Sequence, residues 1–333
     1  MECKTGESLL EITDLKVHFD TEEGTVEALD NISVSISDGS IHGLIGETGC
    51  GKSVTSLTIL QLLDQNARIV QGHILYKGED LLQLREKEIR GRVRGGQISM
   101  IFQDPSASLN PVYTAGDQVQ EAVNLYQTKD AMKAKEIVLE QFDQVDLPDP
   151  ADVYQKFPYE LSGGMKQRVM IAVMLACNSS LLIADEPTTA LDVSVQAQFL
   201  KVLQELQDQL GLSLLYITHD MAVVSEICDR VTVMYAGQIV ESGSVRAIFN
   251  NPKHPYSIGL IRSVPGIQQS IEDFKTIKGT VPRLINPPSG CRFHPRCDYS
   301  ENICSEQKPN LVTTENGHRV ACHKWEDIHG DGS

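Results

Sequence analysis

The run IHGLIGETGCGKSVTSLTILQLL, residues 41 to 63, constrains the fold more than any other stretch of this 333-residue chain. A short apolar segment gives way to a glycine-rich turn and then to a segment whose apolar residues recur at helical spacing. That order is strand, turn, helix, the setting a phosphate-binding loop requires. Gly46, Gly49 and Gly51 permit the tight turn and the close backbone approach, so that successive N–H groups at the helix amino terminus face phosphate oxygens. Lys52 is expected to reach the β- and γ-phosphates of a nucleotide, and the Ser53 hydroxyl to hold Mg²⁺. Glu47, Thr48, Cys50 and Val54 complete the candidate nucleotide-binding set.

Two further stretches carry chemistry in the same chain. In SSLLIADEPTTALD an apolar strand ends in Asp185 and Glu186, which puts two carboxylates at the carboxyl end of a buried strand, where open α/β sheets bind their ligands. Asp185 suits a Mg²⁺ partner, and Glu186 suits the base that orients and polarises attacking water. Taken alone the pair reads equally well as a strand end and a helix cap. In YELSGGMKQRVMIAVMLAC, Ser162, Gly163 and Gly164 precede a helix, either as an ordinary capped start or as a second anion-accepting amino terminus. One nucleotide does not need two such ends.

Composition narrows the class. A formal net charge of −16 opposes non-specific attraction to nucleic acid or anionic lipid, and no nucleic-acid partner is expected. No basic start followed by an apolar stretch opens the chain, and no apolar run approaches the roughly 18 residues that span a bilayer. The protein is expected to stay on the side of the membrane where it was made. Of the eight cysteines, Cys3, Cys50, Cys177 and Cys228 are scattered, whereas Cys291, Cys297, Cys304 and Cys322 cluster. Scatter fits free thiols in a reducing compartment; clustering fits a site.

Together these motifs resemble the ATPase subunit of an ABC transporter. GETGCGKS resembles that family's Walker A, LLIADE its Walker B, LSGGM its signature and TALD its D-loop. Gln103 in MIFQDP matches the Q-loop, and His219 in YITHD the switch histidine. Phe19, in LKVHFDT, sits where the family stacks adenine on an aromatic ring. The resemblance implies an α/β fold: a P-loop core with a mostly parallel sheet, an antiparallel β subdomain and a helical subdomain over about 104–176, all within residues 1–245. It also implies that two ATPase subunits pair head to tail, each ATP lying between the Walker motifs of one and the signature of the other, with Asp192 communicating across the dimer. Gln103 would then link Mg²⁺ and attacking water to a membrane subunit, and His219 would contact the γ-phosphate. Met165 replaces the glutamine that commonly closes the signature. Cys50 replaces a small residue of the loop, and its place near a helix amino terminus is expected to lower its pKa and make it a target for alkylation.

Residues 246–333 resemble the carboxyl-terminal extension of the oligopeptide and dipeptide importer ATPases, through NNPKHPYSIGLIRSVPG and IKGTVPRLINPPSGCRFHPRCDYSENIC. FQDPSASLNP and LSGGMKQRVMIA point to the same branch. Importers of nickel or another small solute, and soluble ABC ATPases acting on nucleic acid or ribosomes, are the alternatives. The branch implies a second, distinct ATPase, two transmembrane permease subunits and an external peptide-binding protein, with this chain peripheral on the cytoplasmic face of the membrane. Five, six and seventeen residues separate the clustered cysteines, unlike the Cys-x2-Cys pairs of zinc ribbons. Four such thiols favour iron–sulfur or zinc over disulfides. Similar tails imply a [4Fe-4S] cluster in a small Cys-rich C-terminal domain, with zinc as the alternative and His294 or His323 as second-choice ligands.

Overall fold

The computed structural model of the chain describes residues 8–103, 108–188, 192–264 and 277–328. Two long strands come first, β1 (Ser8–Thr21) and β2 (Gly24–Ser37), paired antiparallel from Thr21 opposite Gly24. Leu10, Ile12, Leu15 and Val17 of β1 and Leu29, Ile32, Val34 and Ile36 of β2 are buried, the alternation of a sheet with one wet face. After β3 (Ile41–Ile45) and α1 (Lys52–Ile59) come β4 (Ala67–Tyr76) and β5 (Glu79–Asp80), which complete an antiparallel sheet in the order β2-β1-β4-β5.

Among the described residues β6 (Ile98–Ile101) is followed by the α-helices α2 (Ala115–Tyr126), α3 (Ala131–Gln144), α4 (Pro150–Gln155) and α5 (Gly163–Cys177). Then come β7 (Leu181–Asp185), α6 (Val193–Leu210), β8 (Ser213–Thr218), α7 (Met221–Ile227), β9 (Arg230–Tyr235) and β10 (Gln238–Ser244). The tail holds α8 (Val245–Asn250), α9 (Pro255–Arg262), α10 (Asn302–Glu306), β11 (Val312–Thr313) and β12 (Arg319–Val320).

Contacts divide the chain into two compact units. Residues 38–40 and 84–216 form one, and the remainder, through the tail, forms the other. In the first, β6 and β7 pair parallel, Ile98 opposite Leu181, and every residue of both strands is buried. A parallel pair needs a long crossover, and α2 to α5 supply it. Their starts are written in the sequence: Thr114, Asp130, Asp149 and Ser162 each accept a backbone N–H from the first turn. α2 and α4 meet at Gly116, where a Cβ would lie 2.4 Å from the Tyr154 ring.

In the other unit, β3 and β9 pair parallel, and β9 turns through Ala236 and Gly237, both at positive φ, into antiparallel β10. The tail does not stand off as the separate small domain that the sequence suggests. β12 pairs with the edge of β10, Val320 opposite Glu241, and β11 pairs with β12. Tyr256, Ile261 and Phe293 of the tail share one buried cluster with Ile45, Val231, Val233 and Tyr235, and Cys291 and Cys297 pack against it. The tail thus buries apolar surface that belongs to the strands around the loop at 46–53, and neither surface is complete without the other.

Candidate functional site

The glycine-rich loop runs from the end of β3 into α1. Gly46 has φ +156°, and a Cβ there would lie 2.2 Å from the Met234 carbonyl oxygen; Gly51 has φ +106°, and its Cβ would lie 2.9 Å from the Ala28 carbonyl oxygen. The loop therefore rests directly on backbone, and neither position admits a side chain. The Gly237 N–H donates to the Cys50 carbonyl at 2.8 Å, so the β9–β10 turn is the seat of the loop. Lys52, 4% exposed, donates from Nζ to the carbonyls of Gly46 (2.8 Å) and Glu47 (3.3 Å). An ammonium held this way is already desolvated and stands at a helix amino terminus, where an anion can recruit it. Thr48, Gly49 and Ser53 are exposed and Val54 is half-buried.

Cys50 reverses the expectation placed on it. Its thiol is buried, and that burial pushes its pKa up to about 11, outweighing the nearby Lys52 charge. The proximity of a helix amino terminus lowers a thiol's pKa only where the thiolate is solvated or paired, and Cys50 points into the core.

In the other unit, β7 delivers Asp185, 5% exposed, at its carboxyl end. Glu186 follows at φ +47°, a strained conformation for a non-glycine residue. Gln103 Nε2 donates to Glu186 Oε2 at 3.3 Å, joining two residues that the sequence singled out separately. The turn after Glu186 is held by a residue no motif points to: Gln167, buried on α5, donates to the Pro187 carbonyl at 2.6 Å. Ser162 caps α5, its Oγ accepting the Met165 N–H at 3.3 Å. Ser162 and Gly163 are exposed, and a Cβ on Gly163 would meet nothing within 4 Å.

Asp192 caps α6, and hydrogen bonds from the Ser194 hydroxyl and the Val195 N–H hold its carboxyl below the usual range. Thr189 to Leu191 of TALD, like 104–107 after Gln103, lie outside the described residues. His219 is exposed just beyond β8. Phe19 lies on β1 between Val26 and Ala67, half-buried.

The four clustered cysteines line one small cavity, together with His254, Phe293, His294 and His323. Burial pushes the thiol of Cys291 up, that of Cys297 to about 11 and that of Cys322 to about 12. The Cys291 N–H donates to the Cys304 carbonyl at 2.8 Å, which closes the loop that carries the first three. His294 Nδ1 lies 2.9 Å from the Cys291 carbonyl and His323 Nε2 2.9 Å from that of Gln307. Among the described residues no three His, Cys, Asp or Glu side chains are grouped as a single metal ion needs.

Residues 29–189 match the family model described as ABC transporter, and residues 240–304 match the model described as oligopeptide/dipeptide transporter, C-terminal region. A probable peptide ABC transporter ATP-binding protein of Sinorhizobium fredii is 45% identical over 96% of each chain. The chain belongs to the oligopeptide/dipeptide importer family of ABC transporter ATPases. Within this family the dipeptide transport ATP-binding protein DppD of Escherichia coli is 44% identical to it, over 95% of this chain and 96% of that one. The dimeric structure of MJ0796, a bacterial ABC transporter cassette, superposes with a TM-score of 0.63 at 25% identity, over 71% of this chain and 99% of that one. The membership bears out the P-loop ATPase fold expected for the chain. Among the described residues no helix of this ABC ATPase is long and apolar enough to cross a membrane.

Proposed function

We propose that the protein is the ATP-hydrolysing subunit of a peptide importer. What carries this reading is the presence, in one chain, of a built phosphate loop and of a tail matched by the peptide-transporter model. The loop N–H groups and Lys52 cradle the phosphates of ATP, Ser53 and Asp185 hold Mg²⁺ with Gln103 at its edge, and Glu186 acts as base toward water. Strain at Glu186 and its bond from Gln103 support that assignment, since backbone strain collects where a side chain must be aimed. Ser162, Gly163 and Gly164 form the half-site offered to ATP on a second ATPase, which the exposure of Ser162 and Gly163 supports, and His219 senses the γ-phosphate. Closure on ATP and release on hydrolysis drive two permease subunits fed by an external binding protein, with this chain on the cytoplasmic face. Phe102, Val112, Tyr113 and Tyr159 are exposed, as a surface that receives a membrane subunit requires.

Cells carrying Lys52→Ala should lose uptake of labelled dipeptides while retaining uptake of free amino acids. Unimpaired dipeptide uptake would end the importer reading.

We further assign Cys291, Cys297, Cys304 and Cys322 as ligands of a [4Fe-4S] cluster. Four thiols around one cavity, Cys304 buried and Cys291, Cys297 and Cys322 half-buried, fit a group whose irons each take their own cysteine better than a lone zinc, which draws four sulfurs to about 2.3 Å from one point. These four cysteines would hold the cluster as thiolates, and their ligation would cross-link the tail. Anaerobically purified protein should hold about four irons and four sulfides per chain, and Cys297→Ser should lose them. One zinc, or no metal, would refute the assignment.

A further inference from the structure

The loop at 46–53 is held from a side that none of the motifs describes. Arg296, one residue before Cys297, sends its guanidinium to Glu47: one terminal nitrogen reaches Oε2 at 2.6 Å and the other reaches Oε1 at 3.1 Å. The remaining N–H groups go to the carbonyls of Lys278 (2.6 Å) and Gly279 (3.2 Å) and to the Tyr235 hydroxyl (3.3 Å). All five donors of the guanidinium are thus engaged, and its side chain is only 6% exposed. Tyr256, fully buried, holds the same loop residue through its backbone, its hydroxyl oxygen accepting the Glu47 N–H at 2.9 Å. Tyr235, Tyr256 and Phe293 pack edge-on or tilted at 4.7–5.4 Å between ring centres. Phe293 also lines the cysteine cavity, so one short segment faces that cavity and grips the phosphate loop.

We infer that Arg296 is a positioning residue for the phosphate loop, and that with Tyr256 it lets the tail set the affinity for ATP. A bidentate, largely desolvated guanidinium–carboxylate pair fixes direction as well as distance. Glu47 is the second residue of the loop, so fixing its side chain and its N–H together orders the turn before nucleotide arrives. The ordering entropy is then already spent in the free protein, and binding costs less. The loop holds the phosphates alike in the ground state and the transition state, so loosening it weakens binding and leaves the chemical step.

This rests on the reading of 46–53 as the ATP site, and the experiment separates the two. With the full-length chain, equilibrium ATP binding and steady-state hydrolysis are measured for the wild type, Arg296→Gln, Arg296→Lys, Tyr256→Phe, Glu47→Gln, the Glu47→Gln/Arg296→Gln double variant and Lys52→Ala. Arg296→Gln should raise the ATP Kd and KM about three- to tenfold with kcat changed less than about twofold. Arg296→Lys keeps the charge without the fork and should recover only part of the loss. The double variant should bind no more weakly than Glu47→Gln, because either change breaks the same pair. Tyr256→Phe keeps the ring and its packing, so its raised KM guards against a folding artefact in Arg296→Gln. If Arg296→Gln and Tyr256→Phe lower the melting temperature but leave Kd and KM at wild-type values, or if the double variant is additive, the inference is overturned. If Lys52→Ala binds ATP like the wild type, the ATP reading of the loop fails instead.

Discussion

A thiol beside a helix amino terminus is usually acidified, and Cys50 shows what overrides that rule. Its side chain lies where a Cβ on Gly46 would come within 2.7 Å of its sulfur, inside the loop's own packing, and burial drives its pKa to about 11. At pH 8 almost none of it is thiolate. Native protein treated with iodoacetamide should therefore keep Cys50 unmodified, while protein unfolded in guanidinium should be alkylated there fully, as read by peptide mass spectrometry. Rapid native modification that ATP blocks would mean that the thiol faces the nucleotide instead. The loop itself was legible from the chain because Gly46, Gly49, Gly51 and Lys52 act within a few residues of one another. Arg296 was not, since its partner Glu47 is 249 positions away and an arginine between cysteines gives no sign of what it grips.

At the scale of elements, what could be read was what is locally coded. Helix starts at Ser162, Asp192 and Asp220 follow from capping chemistry, and the ends at Asn178 and Gly211, both left-handed, follow from the residues that tolerate that conformation. β3 and β7 read as short unbroken apolar runs, as strands buried on both faces do. The docking of the tail is coded nowhere locally. β12 is two residues long, too short for any periodicity, and it sits beside β10 because buried Glu241 gathers three partners from beyond its own strand: the Lys253 N–H (2.6 Å), the His254 N–H (3.0 Å) and His318 Nε2 (2.7 Å). A carboxylate with no exposure must be satisfied within the fold, and these tail residues are what satisfies it. A proline-punctuated segment with four cysteines reads as an appendage, whereas its Tyr256 and Phe293 are core residues of the ATPase unit.

For the whole molecule, that shared core makes stability pH-dependent in a direction set by two histidines. His42 on β3 is fully buried against the Thr232 hydroxyl at 2.9 Å. Burial, with help from the Arg230 and Arg319 charges, lowers its pKa to about 3. His254 accepts the Tyr256 N–H at Nδ1, and burial lowers it to about 4 despite the nearby Glu241 carboxylate. Both are neutral in the folded chain and take up protons on unfolding once the pH falls below about 6.5, the ordinary histidine value. Folded values below unfolded ones give stability that is complete above pH 6.5 and drains as pH falls toward 4, at about 1.4 kcal/mol per pH unit for each histidine. Asp30, held near 2 against its own burial by Lys308, Gln238 and Arg292, keeps its full contribution until the pH falls below about 3.8 and loses it toward pH 2, so its loss follows the onset of the histidine loss at lower pH. The urea midpoint should drop clearly between pH 7 and pH 5. His42→Gln, which retains a polar partner for Thr232 but cannot titrate, should start lower at pH 7 and fall less steeply. A variant midpoint that falls in parallel with the wild type would show that His42 binds its proton alike in the folded and unfolded chains, and that the acid sensitivity of the fold arises elsewhere.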